Sequence, residues 1–186
     1  TFHSPYGEQR IVYADWTASG RLYRPIETRL LESFGPFVGN THSESSETGR
    51  AMTLAYHEAH RILKAHANAG PDDLIISTGT GMTGVINKFQ RILGLKAPQG
   101  LRRFLNLTEA ERPVVFITHM EHHSNQTSWY ETIADVVVVP PDEQGLVDLA
   151  ALESLLHAYR DRPLKIGAFT ACSNVTGVST PYHAMA

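Results

Sequence analysis

Short apolar runs alternate with longer amphipathic stretches along this chain. Apolar runs of this kind predict buried strands, whereas apolar residues that repeat at three- and four-residue steps predict helices. Their alternation is typical of an α/β fold, in which a doubly wound, mostly parallel sheet carries helices on both faces. The predicted strands cover residues 74–77, 114–118, 136–140 and 166–171, and the predicted helices cover residues 25–34, 83–93, 125–133, 149–159 and a long stretch from Ser45 or Ser46 to about residue 67.

Charge and hydropathy argue against two classes of partner. The chain has 186 residues with a net charge of −3 and no run of Lys or Arg, so we expect no nucleic acid partner. No apolar stretch approaches the roughly 20 residues that span a bilayer, so we expect no membrane partner. The N-terminus also lacks the charged-then-apolar signature of a signal peptide, so we expect a cytoplasmic protein. The single cysteine, Cys172, cannot form an internal disulfide, which agrees with a reducing compartment.

The domain organisation is predicted to be simple. We find no linker or repeat, so one domain is the economical interpretation, with an N-terminal segment and short helix over residues 1–45 and an α/β core over residues 46–186. The chain starts at Thr1 without an initiator Met, and it stops at Ala186 shortly after Pro181, which predicts the start of a new helix. We therefore expect a fragment or a processed product whose C-terminal remainder is absent.

Three polar turns directly follow predicted strands: GTGMT at residues 79–83, EHHSN at residues 121–125 and SNVTG at residues 173–177. Because the carboxyl ends of parallel strands meet at one edge of a sheet, we expect the three turns to gather where open α/β folds bind ligands. In the first turn, glycines let backbone N–H groups approach an anion, the next helix adds positive partial charge, and Thr83 adds a hydroxyl. The pattern predicts a phosphate site here, and a glycine-rich turn that binds no ligand explains it equally well.

The second turn carries imidazoles beside a carboxylate. His119, Glu121 and His122 could ligate a metal, perform acid/base work near neutral pH, or stack on an aromatic ligand. The spacing does not decide among these roles, although it fits the known zinc patterns poorly, and histidines that only hydrogen-bond within a polar turn are the alternative without function. In the third turn, Asn174 can donate a hydrogen bond to a phenolic oxygen, and Gly177 allows a sharp turn.

Together with two segments nearer the N-terminus, these turns resemble the class V aminotransferase and cysteine desulfurase family of fold-type I enzymes, which use pyridoxal 5′-phosphate (PLP). YADWTASG at residues 13–20 is similar to the family's Y-x-D-x-A-A-S segment, and NTHS at residues 40–43 is similar to its N-x-H-S loop. GMT at residues 81–83 stands where the family has G-T-T, MEHHSN at residues 120–125 is similar to M-E-H-H-S-N, and SNVTG at residues 173–177 is similar to S-N-V-x-G. The five motifs follow the family's order over nearly the whole chain.

The resemblance implies a role for each candidate site residue. The backbone N–H groups of Gly81 and Met82 and the hydroxyl of Thr83 would hold the PLP phosphate. His122 would stack on the pyridine ring and take part in catalysis, and Asn174 would hydrogen-bond the ring's O3′. The resemblance implies no metal ligand. It further implies the N-terminal part of a fold-type I large domain, a small amino-acid substrate and a homodimer.

Two features limit what the resemblance implies about the reaction. Gly84 stands where the family has an acidic residue, and nothing in the sequence distinguishes sulfur removal, selenium removal, transamination or epimerisation. In the family, the Schiff-base lysine and the Asp that pairs with the pyridinium nitrogen both follow the SNVTG turn, beyond Ala186. The four lysines present, Lys64, Lys88, Lys96 and Lys165, lie away from the predicted ligand edge. We therefore expect a PLP-dependent transferase or lyase as the full-length protein, and an inactive chain when this part stands alone.

Two alternative functions stay open at this point. A metal-dependent hydrolase would use His119, Glu121 and His122 as ligands. A non-catalytic homologue would use the fold only for association and would form dimers without affinity for PLP.

Overall fold

The structure of the chain, a computed structural model, describes every residue except Thr17, Ala18 and Thr80. Thr17 and Ala18 belong to the YADWTASG motif and Thr80 to the GTGMT turn, so those parts of the two motifs lie outside the described residues. The chain divides into two compact units, Thr1–Ser77 and Thr78–Ala186. The single large domain expected from the sequence stays a prediction.

The first unit contains a small hairpin and two main helices. Their bounds are β1 (Phe2–Ser4), which pairs antiparallel with β2 (Gly7–Gln9), then α1 (Arg24–Arg29) and α2 (Glu47–His66). The prediction of one regular helix over residues 25–34 is wrong in its second half, because α1 continues as a π-helical turn, Leu30–Phe34. The N–H of Gly35 donates to the carbonyl of Leu30, five residues back, which is the hydrogen bond that defines this wider turn.

Helix α2 begins where the sequence predicts it. Ser46 has an extended backbone, and its Oγ accepts from the N–H of Gly49 at 3.1 Å, a cap that contributes about 1 kcal/mol to helices of this kind. The NTHS loop contacts the next turn of this helix, since the N–H of His42 donates to Thr53 Oγ1 at 2.9 Å. A Cβ on Gly49 would lie 2.7 Å from the carbonyl oxygen of Ser43, so only glycine permits this approach.

The predicted strand over residues 74–77 is not formed. Leu74 is 86% exposed and Ile76 is 54% exposed, and within the described parts of the chain no strand pairs with this segment. An extended segment becomes a strand only where a neighbour takes up its backbone hydrogen bonds. The apolar pattern reports the side chains and carries no information about that neighbour.

The second unit contains a three-stranded parallel sheet and four helices. The sheet order is β4-β3-β5, with β3 in the centre, and Ile117 of β3 lies opposite Val138 of β4 and Ala168 of β5. The elements in chain order are α3 (Gly81–Ile92), β3 (Val114–Thr118), α4 (His123–Tyr130), β4 (Asp135–Val139), α5 (Leu149–Ala158), β5 (Lys165–Ala168) and α6 (Tyr182–Met185).

Helices cover both faces of this sheet. Phe116 of β3 packs in a cluster with Leu152 of α5 and Met185 of α6. Its neighbour Ile117 points to the other face, where it packs in a cluster with Trp129 of α4. Every residue of β3 is buried as a result, as expected for a parallel strand covered on both sides. The prediction of a doubly wound α/β sheet is confirmed.

The long connection between α3 and β3 contains two 3-10 turns, Gln99–Phe104 and Glu109–Glu111. The second has the predicted capping box, in which the N–H and Oγ1 of Thr108 donate to Glu111 Oε2 at 2.8 and 2.6 Å. Both hydrogen bonds from Thr108 lower the pKa of Glu111, the bond from the hydroxyl more than the bond from the backbone N–H.

In the described part of the chain, none of the helices combines the length and the hydropathy needed to cross a membrane.

Candidate functional site

Two of the three predicted turns meet at the carboxyl edge of the sheet. EHHSN at residues 121–125 follows β3, SNVTG at residues 173–177 follows β5, and these strands are parallel neighbours. A direct bond confirms the approach, since the N–H of Thr170 donates to Glu121 Oε1 at 2.8 Å. The structure therefore places the segments that carry His122 and Asn174 side by side.

His122 is the N-cap of α4. Its backbone is extended, and its Nδ1 accepts from the N–H of Ser124 at 3.2 Å. Ser124 Oγ lies 2.8 Å from the same nitrogen. Because Nδ1 uses its lone pair as an acceptor, the neutral ring carries its proton on Nε2. The ring is exposed, so one nitrogen anchors it to the helix while the other is available at the sheet edge.

Glu121 lies at the centre of a hydrogen-bond network. Its Oε1 accepts from the N–H and Oγ1 of Thr118 at 3.3 and 2.7 Å and from the N–H of Thr170, and its Oε2 accepts from Asn125 Nδ2 at 2.9 Å. Asn125 extends the network, because Nδ2 also donates to the carbonyl of Ala168 at 3.2 Å and Oδ1 accepts from Trp129 Nε1 at 3.0 Å. The network joins the ends of β3 and β5 to the first turn of α4.

The structure does not assemble the ligand set of the metal-dependent hydrolase. Nε2 of His119 lies 3.0 Å from the carbonyl oxygen of Gly145, and both oxygens of Glu121 accept bonds from protein donors. Among the residues that the structure describes, no group of three His, Cys, Asp or Glu side chains converges as a metal site would require. His119, Glu121 and His122 are close in sequence but have separate partners.

The SNVTG turn is closed by its own backbone, and Asn174 lies exposed on it. The N–H of Gly177, which has a φ of +73°, donates to the carbonyl of Ser173 at 2.9 Å. Ser173 is 4% exposed, and its Oγ accepts from the N–H groups of Val175 and Thr176, each at 3.3 Å. The turn therefore keeps its shape without using the Asn174 amide.

The GTGMT turn leads into α3, as predicted, although the described residues directly before it, 74–79, form no strand. Gly81 has a φ of +63°, and among the described residues, apart from its chain neighbours and the backbone of its own helix, no heavy atom lies within 4 Å of the position that a Cβ would take. Met82 is 70% exposed and Thr83 is exposed. The first amides of the 12-residue helix α3 have no intrahelical partner, so they and the Thr83 hydroxyl suit a phosphate.

Helix α3 is connected to the histidine turn through α4. Gln90 of α3 is fully buried, and its Nε2 donates to Ser128 Oγ of α4 at 3.0 Å. Amide and hydroxyl donors on α3, an exposed imidazole at the start of α4 and an exposed amide after β5 form a donor set that fits a phosphorylated aromatic ligand. The convergence of all three turns on one ligand stays a prediction, as do the roles of the individual residues.

Lys165 and Lys96 lie outside the turns that carry His122 and Asn174. Lys165 lies at the start of β5, at the opposite edge of the sheet, where its Nζ donates to the carbonyls of Arg160 and Arg162 at 3.0 and 2.9 Å. Lys96 follows α3, and partial burial lowers its pKa, although the nearby carboxylate of Glu131 acts in the opposite direction.

Sequence reasoning missed two residues of this region. It named Glu121 as a possible metal ligand or acid/base group and gave it no positioning role, and it gave Asn125 no role beyond its place in the motif. The available signal was a Glu three residues after the end of a buried strand with an Asn four residues later, a spacing that puts both on one side of a helix start. What the sequence could not reveal is the partner strand, because Thr170 lies 49 residues away.

Comparison with known proteins agrees with the motif analysis. The chain is 30% identical over 175 residues to a cysteine desulfurase of Synechococcus elongatus. The matched region covers 92% of this chain and 25% of that protein. It is also 28% identical over 178 residues to a probable cysteine desulfurase of Haemophilus influenzae. That matched region covers 94% of this chain and 36% of the relative. The chain thus spans between a quarter and two fifths of these relatives.

A solved structure leads to the same family. The cysteine desulfurase CsdA (S-sulfonic acid) of Escherichia coli matches with a TM-score of 0.56 and 25% sequence identity, over 85% of this chain and 38% of that one. The family model described as aminotransferase class-V matches residues 12–186, which confirms the resemblance seen in the five motifs. The chain therefore belongs to the class-V aminotransferase family.

Proposed function

We propose that this chain supplies part of the PLP site of an enzyme that acts on a small amino acid. The observation that carries the proposal is the parallel pairing of β3 with β5, which sets the His122 turn beside the Asn174 turn at the carboxyl edge of the sheet. Ligands of open α/β sheets bind at this edge. Membership of the class-V aminotransferase family supports the same assignment.

Three groups of residues would hold PLP. The N–H groups of Gly81 and Met82 and the hydroxyl of Thr83 would bind the phosphate at the start of α3, where the helix dipole adds attraction. Asn174 would donate to the phenolic oxygen of the ring. The pyridine ring would lie against the exposed imidazole of His122, an aromatic contact that orients the ring.

His122 is also the candidate acid/base group. PLP, when bound, supplies an electron sink for chemistry at the substrate's α-carbon. The bond to Ser124 leaves the proton of the neutral His122 ring on Nε2, so that atom would hold or transfer a proton at the sheet edge. Glu121, which binds four protein donors, is not free to perform this role.

The substrate subtype, assembly and location belong to the same proposal. The relatives named cysteine desulfurase favour a sulfur-containing amino acid among the possible substrates. We further propose a homodimer in the cytoplasm, which the family resemblance and the unpaired, exposed Cys172 support. Light scattering on the purified protein would give a mass of twice the monomer if the dimer forms.

Titration with PLP tests the proposal. The wild-type protein should give a saturable change in the absorbance and circular dichroism of PLP. Thr83→Ala should weaken binding by about tenfold, the effect of losing one hydrogen bond to a charged group. Thr127→Ala is the matched control, because Thr127 Oγ1 donates only to the carbonyl of His123 within α4. A folded dimer without saturable PLP binding would instead support the non-catalytic homologue.

A further inference from the structure

We infer that Glu121 is a positioning residue, whose carboxylate fixes the His122 turn relative to the Asn174 turn. The inference rests on the proposed PLP site and adds a residue that contacts no part of the ligand. Its basis is that one side chain binds to the end of β3, the end of β5 and the first turn of α4.

The two carboxylate oxygens of Glu121 accept four hydrogen bonds from the protein. Oε1 accepts from three donors, the N–H and Oγ1 of Thr118 and the N–H of Thr170, at 3.3, 2.7 and 2.8 Å. Oε2 accepts from Asn125 Nδ2 at 2.9 Å. An ionised carboxylate is the side chain that accepts at two oxygens and donates nowhere, so it suits a place surrounded by donors.

The network is directly attached to both candidate ligand-binding turns. His122 is the next residue along the chain and caps α4, the helix that Asn125 joins to Glu121. On the other side, Thr170 continues the chain of β5 towards Asn174. Because the Asn174 turn is closed by its own backbone bonds, moving Thr170 moves that turn as a unit. Glu121 therefore sets the distance between the imidazole and the amide.

Glu121→Gln distinguishes the bonds made by Oε1, to Thr118 and Thr170, from the bond made by Oε2 to Asn125. The Gln carbonyl can take the place of Oε1 and keep three donors, but its NH2 group then faces Nδ2 of Asn125, which is also a donor. Turning the Asn125 amide over would remove the bonds to Trp129 Nε1 and to the carbonyl of Ala168. The substitution should release α4 while the link between β3 and β5 remains.

The test combines PLP binding with amide hydrogen exchange on the purified protein. In Glu121→Gln, the dissociation constant of PLP should rise about tenfold, because part of the binding free energy is then used to order the released first turn of α4. The circular dichroism of PLP at saturation should also fall, because the ring is held less uniformly. Amides in the first turn of α4, those of Asn125 and Gln126, should exchange faster, whereas the Thr170 amide should keep its protection.

The matched control is Glu153→Gln, which changes an exposed carboxylate on α5. It should leave the dissociation constant, the circular dichroism and the exchange of α4 unchanged. If Glu121→Gln binds PLP with wild-type affinity and wild-type circular dichroism, the inference is wrong, even if the variant unfolds more easily. If the wild-type protein shows no saturable binding, the proposed function fails, and exchange in α4 still decides whether Glu121 fixes this turn.

Discussion

The two ends of the three-stranded sheet are each cross-linked by one charged side chain, but with different chemistry. At the amino end, Arg162 is 9% exposed, and its Nη1 binds Asp135 Oδ2 at 2.8 Å and the carbonyl of Arg112 at 2.9 Å. At the carboxyl end, Glu121 is bound by neutral donors. At the amino end, the positive charge of Arg162 is paired with the negative charge of Asp135. At the carboxyl end, the Glu121 carboxylate accepts bonds from neutral donors and lies beside exposed polar turns.

The difference separates the part of the sheet that maintains the fold from the part that can bind a ligand. Arg162 joins the segments that precede all three strands, because Asp135 begins β4, Arg112 precedes β3 and Arg162 itself precedes β5. The guanidinium of Arg162 is used within the protein, by Asp135 Oδ2, the Arg112 carbonyl and Glu109 Oε1. The turns at the other end present the exposed side chains of His122 and Asn174, as a binding site built on loops requires.

The largest effect is expected from His122, at the carboxyl end. His122→Ala removes both the ring and the cap of α4, whereas His122→Asn removes the ring and keeps a side chain that caps well. Turnover of an amino-acid substrate by the whole enzyme should fall about 100-fold in both variants, since a positioned acid/base group is lost, while PLP still binds. Only His122→Ala should also lose about 1 kcal/mol of unfolding free energy.

His123→Ala serves as the control for that experiment. His123 is exposed, and the bond described for it is the one that its carbonyl accepts from Thr127 Oγ1. Its turnover should stay near that of the wild type. Full turnover in His122→Asn would mean that the residue is needed only as a helix cap, and the carboxyl end would then be structural like the amino end.

The next effect concerns the amino end. Arg162→Met should lower the unfolding free energy by about 2 kcal/mol, less than the ~3–5 kcal/mol of a fully buried pair because Asp135 is partly exposed. The affinity for PLP should not change. Urea unfolding and PLP titration on the same samples measure both quantities.

Arg160→Met provides the comparison, since Arg160 pairs with Asp161 on the surface and both are largely exposed. It should cost less than about 1 kcal/mol. A weaker PLP affinity in Arg162→Met would show that the two ends of the sheet are coupled and that their separation into two tasks is wrong.

Labelling of lysines sharpens the contrast further. Lys165 is held at the amino end by two carbonyls, and no lysine lies on the two turns that meet at the carboxyl end. Treatment of this chain with PLP followed by borohydride should therefore give no stoichiometric label at a single lysine. Slow labelling should favour Lys96, because its lowered pKa leaves more neutral amine at a given pH.

Peptide mapping by mass spectrometry gives the site and extent of this labelling. Saturation of one lysine at low PLP concentration would identify a lysine at the ligand site and contradict its proposed geometry. Preference for Lys165 over Lys96 would contradict the expected order of reactivity.

The smallest effect is expected at the capping box that precedes β3. The hydrogen bonds from Thr108 lower the pKa of Glu111 in the folded chain, so their contribution is present above the unfolded value of about 4.3. It is lost as the pH falls through the folded pKa. Glu111→Gln keeps an acceptor for the cap without a titrating group. Urea unfolding at pH 7 and pH 3 should therefore show slightly less acid destabilisation in the variant, and a larger loss would contradict the assignment.

The sequence predicted elements whose hydrogen bonds are local. Ser46 opens α2, and the Thr108 capping box forms as expected, because each bond spans three residues. β3 has the predicted bounds because both of its faces are covered, and an uninterrupted apolar run is typical of such a strand. The resemblance to the class V family, drawn from motifs in order, is confirmed by the family model.

The predictions that failed depend on distant partners or on unusual ones. Residues 74–77 have the composition of a strand but no pairing partner within the described chain. The predicted strand over residues 166–171 ends instead at Ala168, because the N–H of Thr170 binds a carboxylate in place of a neighbouring strand. Helix α4 starts two residues earlier than predicted, because an imidazole, which is not among the usual capping side chains, caps it at His122.

The bond between Thr170 and Glu121 has a consequence for how the chain finds its native pairing. β5 has an alternating exposed and half-buried pattern, so a slip of two residues against β3 would keep the same side chains on each face. Such a slip would displace the following turn by about 7 Å. The slip would exchange side chains of different size in the cluster around Trp129, where Ile166 and Ala168 pack, and the amide of Thr170 reaches the Glu121 carboxylate only in the native pairing. The bond to Glu121 thus favours the native alignment of β5 together with those apolar contacts, and it needs no ligand to do so.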